Sequence, residues 1–183
     1  MIEPGNGILL ISDPFLKDPN FMRTVVLLCE HNEEGTFGLV INRTLNTKLG
    51  DLIHELSSIS LPVYYGGPVQ TDTLHFIHQL PELISGSQQI AYGIYWGGDF
   101  SLLCTMLKNK TIDTSKIRFY LGYSGWNDGQ LDEEMREKSW LTVNGNQKLI
   151  FHNDTNAIWK DALKQMGGQY EQLVNYPIDP QLN

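Results

Sequence analysis

Two apolar runs, residues 25–29 and 37–41, flank a polar stretch that contains Gly35, and this pattern predicts a β-hairpin over residues 24–30 and 36–42. Residues 7–12 form an earlier apolar run of strand length. Asp13-Pro14 ends it, because the residue before proline is pushed out of helical space. Leu49, Leu52, Ile53 and Leu56 recur at i, i+3, i+4 and i+7, which predicts a helix from a cap at Asn46 or Thr47 to about residue 57. Residues 62–70 read as an extended segment broken by Gly66-Gly67-Pro68. Residues 73–78 and 89–96 read as strands, and Asp99 caps a helix over 100–109. A strand over 117–123, a helix over 130–138 and short strands over 140–143 and 148–152 follow. Asp154 or Thr155 then caps a helix to Met166, with Gly167 as its C-terminal stop. The tail from about residue 175 to 183 has two prolines and no periodicity, so it is expected to be extended or mobile.

Strands in hairpin-like pairs with interspersed helices predict an α+β fold with a mixed, largely antiparallel sheet and the 25–41 hairpin at its centre. A chain of 183 residues is expected to form one domain spanning 1–183, with its core over about 7–167. The N-terminus lacks a basic residue and an apolar core of signal length, and no apolar run approaches the ~20 residues of a membrane helix. The expectation is an unprocessed cytoplasmic protein with no membrane contact. Cys29 and Cys104 are then reduced, and they are read as buried inert thiols.

Thirteen basic residues face 21 acidic ones, for a formal net charge of −8. Nucleic-acid binders draw most of their affinity from Lys and Arg on phosphates. The basic residues here are scattered, so direct nucleic-acid binding is not expected.

Candidate chemistry is sparse. Gly122-Tyr123-Ser124-Gly125-Trp126 is read between a strand and a helix, the context of a hydrolase nucleophile elbow. Trp126 stands where that motif needs glycine, which favours a structural turn. Cys29 and His31 share a face if their strand continues, which offers a Cys–His nucleophile pair. A small-molecule hydrolase using Cys29 with His31, or Ser124, is therefore the alternative to a non-enzymatic module. Asp132 with Arg136, and Glu134 with Lys138, are read as i, i+4 pairs on a solvated helix face. His31, His54, His75, His78 and His152 show no metal-ligand spacing, so neither a metal nor another cofactor is expected. Glycines beside Tyr64, Tyr65, Tyr95, Trp96, Tyr123 and Trp126 suggest either a shared aromatic cleft or core packing, with core favoured.

Taken together, Asp18-Pro19-Asn20-Phe21, Cys29-Glu30-His31-Asn32, Gly38-Leu39-Val40-Ile41-Asn42, Gly66-Gly67-Pro68-Val69 and Leu121-Gly122-Tyr123 with Gly125-Trp126 and Gly129-Gln130-Leu131 resemble the AlgH (YqgE) family of bacterial proteins. The resemblance implies a bifurcated sheet with a small barrel, surrounded by helices. It supplies no catalytic residues, and it implies a regulatory role acting through an unknown protein or small-molecule partner. If the protein binds something, the expected contact is the hairpin tip and the Gly-rich loops, around His31, Asn32, Asn42, Arg43, Ser124, Trp126, Asn127 and Gln130.

Overall fold

The computed structural model describes residues 1–178. In chain order, strands β1 (Ile8–Ser12), β2 (Val25–Asn32), β3 (Gly35–Val40) and β4 (Thr44–Lys48) precede helix α1 (Leu49–Leu52). Strands β5 (Pro62–Tyr65), β6 (Val69–His78), β7 (Gln88–Ala91) and β8 (Ile94–Trp96) lead to α2 (Phe100–Asn109) and β9 (Ile117–Asn127). The remainder is α3 (Gln130–Arg136), β10 (Trp140–Asn144), α4 (Gln147–Ile150), α5 (Ile158–Met166) and α6 (Gln169–Leu173). The strand order is β10-β1-β2-β3-β9-β6-β8-β7, with every neighbouring pair on this path antiparallel. The fold is therefore α+β, with the β2–β3 hairpin in the middle of the sheet.

The sheet curls into a half-barrel. Gly7, at the start of β1, lies so close to β7 that a Cβ there would stand 2.2 Å from the Ile90 carbonyl oxygen. Residues from both ends of the strand order, such as Leu9, Leu141, Ile90 and Ile94, consequently meet in one cluster inside the curl. Ile158, Trp159, Ala162 and Leu163 of α5 complete that inner core. Outside the curl, α3 covers Leu10, Val26, Leu28, Trp126 and Trp140 through Leu131. Leu103 and Leu107 of α2 cover Phe76 and Phe119 in a third cluster. With both faces covered, β1 up to Ile11 and β2 up to Cys29 are continuously apolar rather than alternating.

The sheet divides at Gly66 and Gly122. The C-terminal half of β9 pairs with β3, whereas its N-terminal half pairs with β5 in a parallel ladder. Strand β4 joins β5 off the main path. The Gly66 N–H donates to Leu121 O at 2.8 Å, and Gly66 O accepts from Val40 N at 2.7 Å. Such backbone contact leaves no space for side chains: a Cβ on Gly67 would lie 2.1 Å from the carbonyl of Tyr123. Gly122 adopts φ +71° and Gln70 φ +44°, where the β6–β9 register shifts between Val69 and Leu74.

Several expected elements differ. The helix foreseen over 46–57 is a strand, a one-turn helix and a 3-10 turn at His54–Leu56, because Thr44–Lys48 pairs with β5 and Ile53 is extended. Residues 89–96 form a two-stranded hairpin, turned at Gly93 with φ +70°. The strand foreseen over 148–152 is helix α4, which Asn146 caps by accepting from Leu149 N at 2.9 Å. The helix foreseen over 130–138 stops at Arg136, and Lys138 is left-handed. Of the foreseen tail, Tyr176 packs edge-on against Phe15 at 5.0 Å, and residues 179–183 lie outside the described residues.

Candidate binding site at the hairpin tip

A β-bulge decides what the tip presents. Leu28 pairs with Gly38 and Glu30 with Phe37, so Cys29 is the extra residue in β2. The bulge resets the alternation. Cys29 joins the inner core, whereas His31 faces the other side, where its Nδ1 meets Thr36 Oγ1 at 2.7 Å. The foreseen shared face of Cys29 and His31 is thus lost. Cys29 is fully buried, and burial pushes its thiol well above the ordinary range. A protonated, enclosed thiol is a poor nucleophile.

Ser124 is equally occupied. The stretch 122–126 is not a turn before a helix but part of β9, where Ser124 pairs with Gly38. Its side chain is fully buried and donates to Gly66 O at 3.2 Å. No sharp turn presents this hydroxyl.

The hairpin tip and the end of β9 do come together, since Gly35 pairs with Asn127 and Thr36 with Trp126. Gly35 is required there: its φ is +142°, and a Cβ would stand 2.5 Å from Trp126 O. Two clefts flank this junction. The first, of about 380 Å³, is lined by Glu30, Glu34, Phe37, Tyr123 and Gly125 among others. The second, of about 350 Å³, takes in His31, Glu33, Asp128, Leu131 and Asp132. Asn32, Gly35, Thr36 and Asn127 border both.

Apart from the buried Ser124, the foreseen contact residues divide into three groups. His31, Asn32 and Asn127 lie at the clefts. Gln130 sits beside them and braces the end of β9, its Oε1 accepting from Asn127 N at 3.1 Å. Trp126 lines the first cleft but is only 5% exposed, and its ring belongs to the outer core. Asn42 and Arg43 lie at the opposite end of β3. Asn42 accepts from Val25 N and donates to Arg23 O, both at 2.9 Å, while Arg43 donates to Pro19 O and Met22 O. They border a different cleft, of about 440 Å³, with Thr44, Tyr65 and Asn156.

The sequence reading missed an aromatic cluster on the inner face. Phe37 stacks between Tyr123 at 4.5 Å and Trp96 at 4.8 Å, and His75 meets it edge-on at 5.1 Å. These four residues come from β3, β9, β8 and β6, which are consecutive in the sheet. The available signal was their shared inward alternation with Leu39, Ile77 and Ile94. His75 Nε2 is buried with no partner among the described residues, and burial lowers the pKa of this imidazole. Of the aromatic residues foreseen near the glycines, Trp96 and Tyr123 share this cluster. Tyr64 packs instead with Tyr120, and Tyr65 lies near Arg43.

His78 and His152 are committed to structure. His78 Nδ1 accepts from Leu80 N at 3.1 Å, so its Nε2 donates to Gly97 O at 3.0 Å. His152 accepts from Asp154 N and donates to Asp161 Oδ2 at 3.0 Å. Among the described residues, no three His, Cys, Asp or Glu side chains are grouped to hold a metal.

A half-barrel sheet split at paired glycines, with clefts on both sides of its central hairpin tip, defines the fold class of this α+β protein. The AlgH-like family model matches residues 9–171, and the chain belongs to that family. A UPF0301 protein of Chlorobium limicola is 41% identical over 182 residues, covering 100% of this chain and 96% of the relative. One from Bacteroides thetaiotaomicron is 42% identical over 184 residues, covering 100% and 93%. The solution structure of the AlgH protein from Pseudomonas aeruginosa superposes with a TM-score of 0.74 at 28% identity, covering 97% of each chain. The crystal structure of protein DIP2367 from Corynebacterium diphtheriae shares the fold, with a TM-score of 0.80 at 18% identity over 96% and 94% of the two chains.

Proposed function

We propose that the protein is a non-enzymatic interaction or regulatory module of the cytoplasm. It binds a protein or small-molecule partner at the hairpin tip and does not contact nucleic acid directly. The observation that carries this reading is the junction of β2–β3 with the end of β9. Rigid central strands there hold exposed Asn32 and Asn127 beside two open clefts, while the candidate nucleophiles Cys29 and Ser124 are turned into packed surroundings. Rigid scaffolds that present accessible loop residues are the usual setting for recognition. The charge of −8 supports the exclusion of nucleic acid. Among the described residues, no helix is long and apolar enough to cross a membrane.

The test combines two arms. A photo-crosslinker at Asn127 is expected to trap a partner in cell extract, and the same partner is lost when Asn32 is replaced by Lys. An esterase, phosphatase and peptidase screen is expected to show no turnover that disappears with Cys29→Ala or Ser124→Ala. Turnover abolished by either substitution overturns the non-enzymatic reading. Micromolar binding of duplex DNA that weakens steeply with salt overturns the exclusion of nucleic acid.

A further inference from the structure

The first cleft combines two features that select one kind of visitor. Its floor is aromatic: Phe37 and Tyr123 are half-buried and stacked. Gly125 lies opposite Phe37, and a Cβ there would press on Tyr123 Cε2 at 3.1 Å. Glycine at this position therefore lets the tyrosine ring lie along the strand and keeps the floor open. Its rim is anionic: Glu30 and Glu34 border this cleft, and Glu33, Asp128 and Asp132 border its neighbour. Among the described residues, no lysine or arginine lines either cleft. None of the five carboxylates is in an ion pair among the described residues. The turn holds one of them in place, with Asn32 donating to Glu30 Oε1 at 3.1 Å, and Asn32 also accepts from the backbone N–H of Glu34 at 2.9 Å.

Resting on the reading of the tip as a binding surface, we propose that this cleft receives an arginine side chain of a partner protein. The guanidinium faces Glu30 and Glu34 and lies against the Tyr123–Phe37 aromatic pair. An aromatic face attracts a cation through its quadrupole, and carboxylates beside it add charge-assisted hydrogen bonds. Arginine suits the site better than lysine, because its planar, weakly hydrated group stacks on rings and pairs with carboxylates through two donors. An anionic ligand meets an uncompensated negative field, and a purely apolar one has to strip water from carboxylates without replacing it. A protein partner, rather than a free cation, fits the openness of two clefts that meet at one tip.

The experiment follows backbone amide shifts of Gly35, Gly125 and Asn127 in the isotope-labelled full chain. The probes are the peptide Ac-Gly-Arg-Gly-Arg-Gly-NH2, its citrulline counterpart and methylguanidinium. The arginine peptide is expected to shift these amides, and the uncharged citrulline peptide is not. Glu30→Gln with Glu34→Gln, both at exposed positions, is expected to weaken the arginine peptide at least tenfold with the remaining spectrum unchanged. Tyr123→Leu is expected to weaken it several-fold. Absent shifts, or an affinity unchanged in the double variant, overturn the proposal. Methylguanidinium binding as tightly as the peptide overturns the protein partner. Equal shifts from the citrulline peptide overturn cation recognition while leaving the tip as a binding surface. Arginine-dependent shifts confined to another face overturn both readings.

Discussion

Trp126 and Trp140 direct their indole N–H groups to the same oxygen, Glu134 Oε2, at 2.9 and 2.7 Å. Their rings meet edge-on at 6.1 Å, and Phe21 packs against both. One carboxylate of α3 therefore ties β9 to β10, strands that lie far apart in the sheet order. The foreseen surface pair of Glu134 with Lys138 does not form, because the helix ends before Lys138 and the carboxylate turns inward. Arg136 likewise pairs with Glu133 at 2.8 Å rather than with the Asp132 side chain, donating only to the Asp132 backbone carbonyl.

Replacing Glu134 with Ala leaves two buried indole donors unpaired. Each unsatisfied donor costs about 1–3 kcal/mol, so a loss of about 2–6 kcal/mol is expected. Glu134→Gln keeps an acceptor oxygen and is expected to cost less. Urea unfolding followed by tryptophan fluorescence checks both. An unchanged midpoint in Glu134→Ala contradicts the bridge.

Acid is expected to weaken the fold before the carboxylates titrate. Burial lowers the pKa of both His75 and His78, so the unfolded chain binds protons that the native chain refuses. Stability is then fully present above the ordinary histidine value of about 6.5 and falls as pH drops from there toward the lowered native values. Replacing His78 by Gln, which offers the same acceptor and donor, is expected to flatten this fall. Thermal melts between neutral and mildly acidic pH test the sign, and a rise in stability over that range refutes it.

The thiols should differ in reactivity. Cys29 is fully enclosed, while Cys104 is 9% exposed, and burial raises the pKa of both thiols. Maleimide labelling read by mass spectrometry is expected to modify Cys104 slowly in the native protein and Cys29 only when denaturant opens the core. Labelling of native Cys29 at the rate of a free thiol contradicts the bulge geometry.

Gly67→Ala is expected to be among the most damaging single-methyl additions. The new Cβ meets backbone atoms of Tyr123 and Ser124, which have no rotamer with which to yield. A loss of about 3 kcal/mol or more, or failure to fold, is expected. Gly86→Ala serves as the control. Its φ of +76° is strained for alanine but nothing lies within 4 Å, so the cost is limited to about 1–2 kcal/mol. Comparable losses for the two variants contradict the close approach.

The hairpin and α2 were legible because their signals are local. Alternating and capping residues, such as Asp99 accepting from Leu102 N, act within a few positions. The break at Ile53 was hidden because β4 is recruited by β5, a partner beyond the helical window. Helix α4 was misread although Asn146 carried a visible cap, since Leu149-Ile150-Phe151 alone looks like a short buried strand. At the site, the tip and residues 122–130 were grouped only as accessible loops, and neither their pairing in one ladder nor the Cys29 bulge was legible. A bulge depends on the ladder with β3, and one extra residue reverses every later side chain. The Phe37 cluster escaped for the same reason, as its members meet only once four strands are in register.

Strand β9 also orders events during synthesis. Its partners β3, β5 and β6 all leave the ribosome first, and each has an open edge until residues 117–127 emerge. Unpaired edges invite association with other chains. The nascent protein therefore passes through a stretch of translation in which most of its strands exist and none of the three can close. A chain released before Ile117 is expected to aggregate, whereas one released after α4 but before α5 is expected to lose mainly the packing inside the curl.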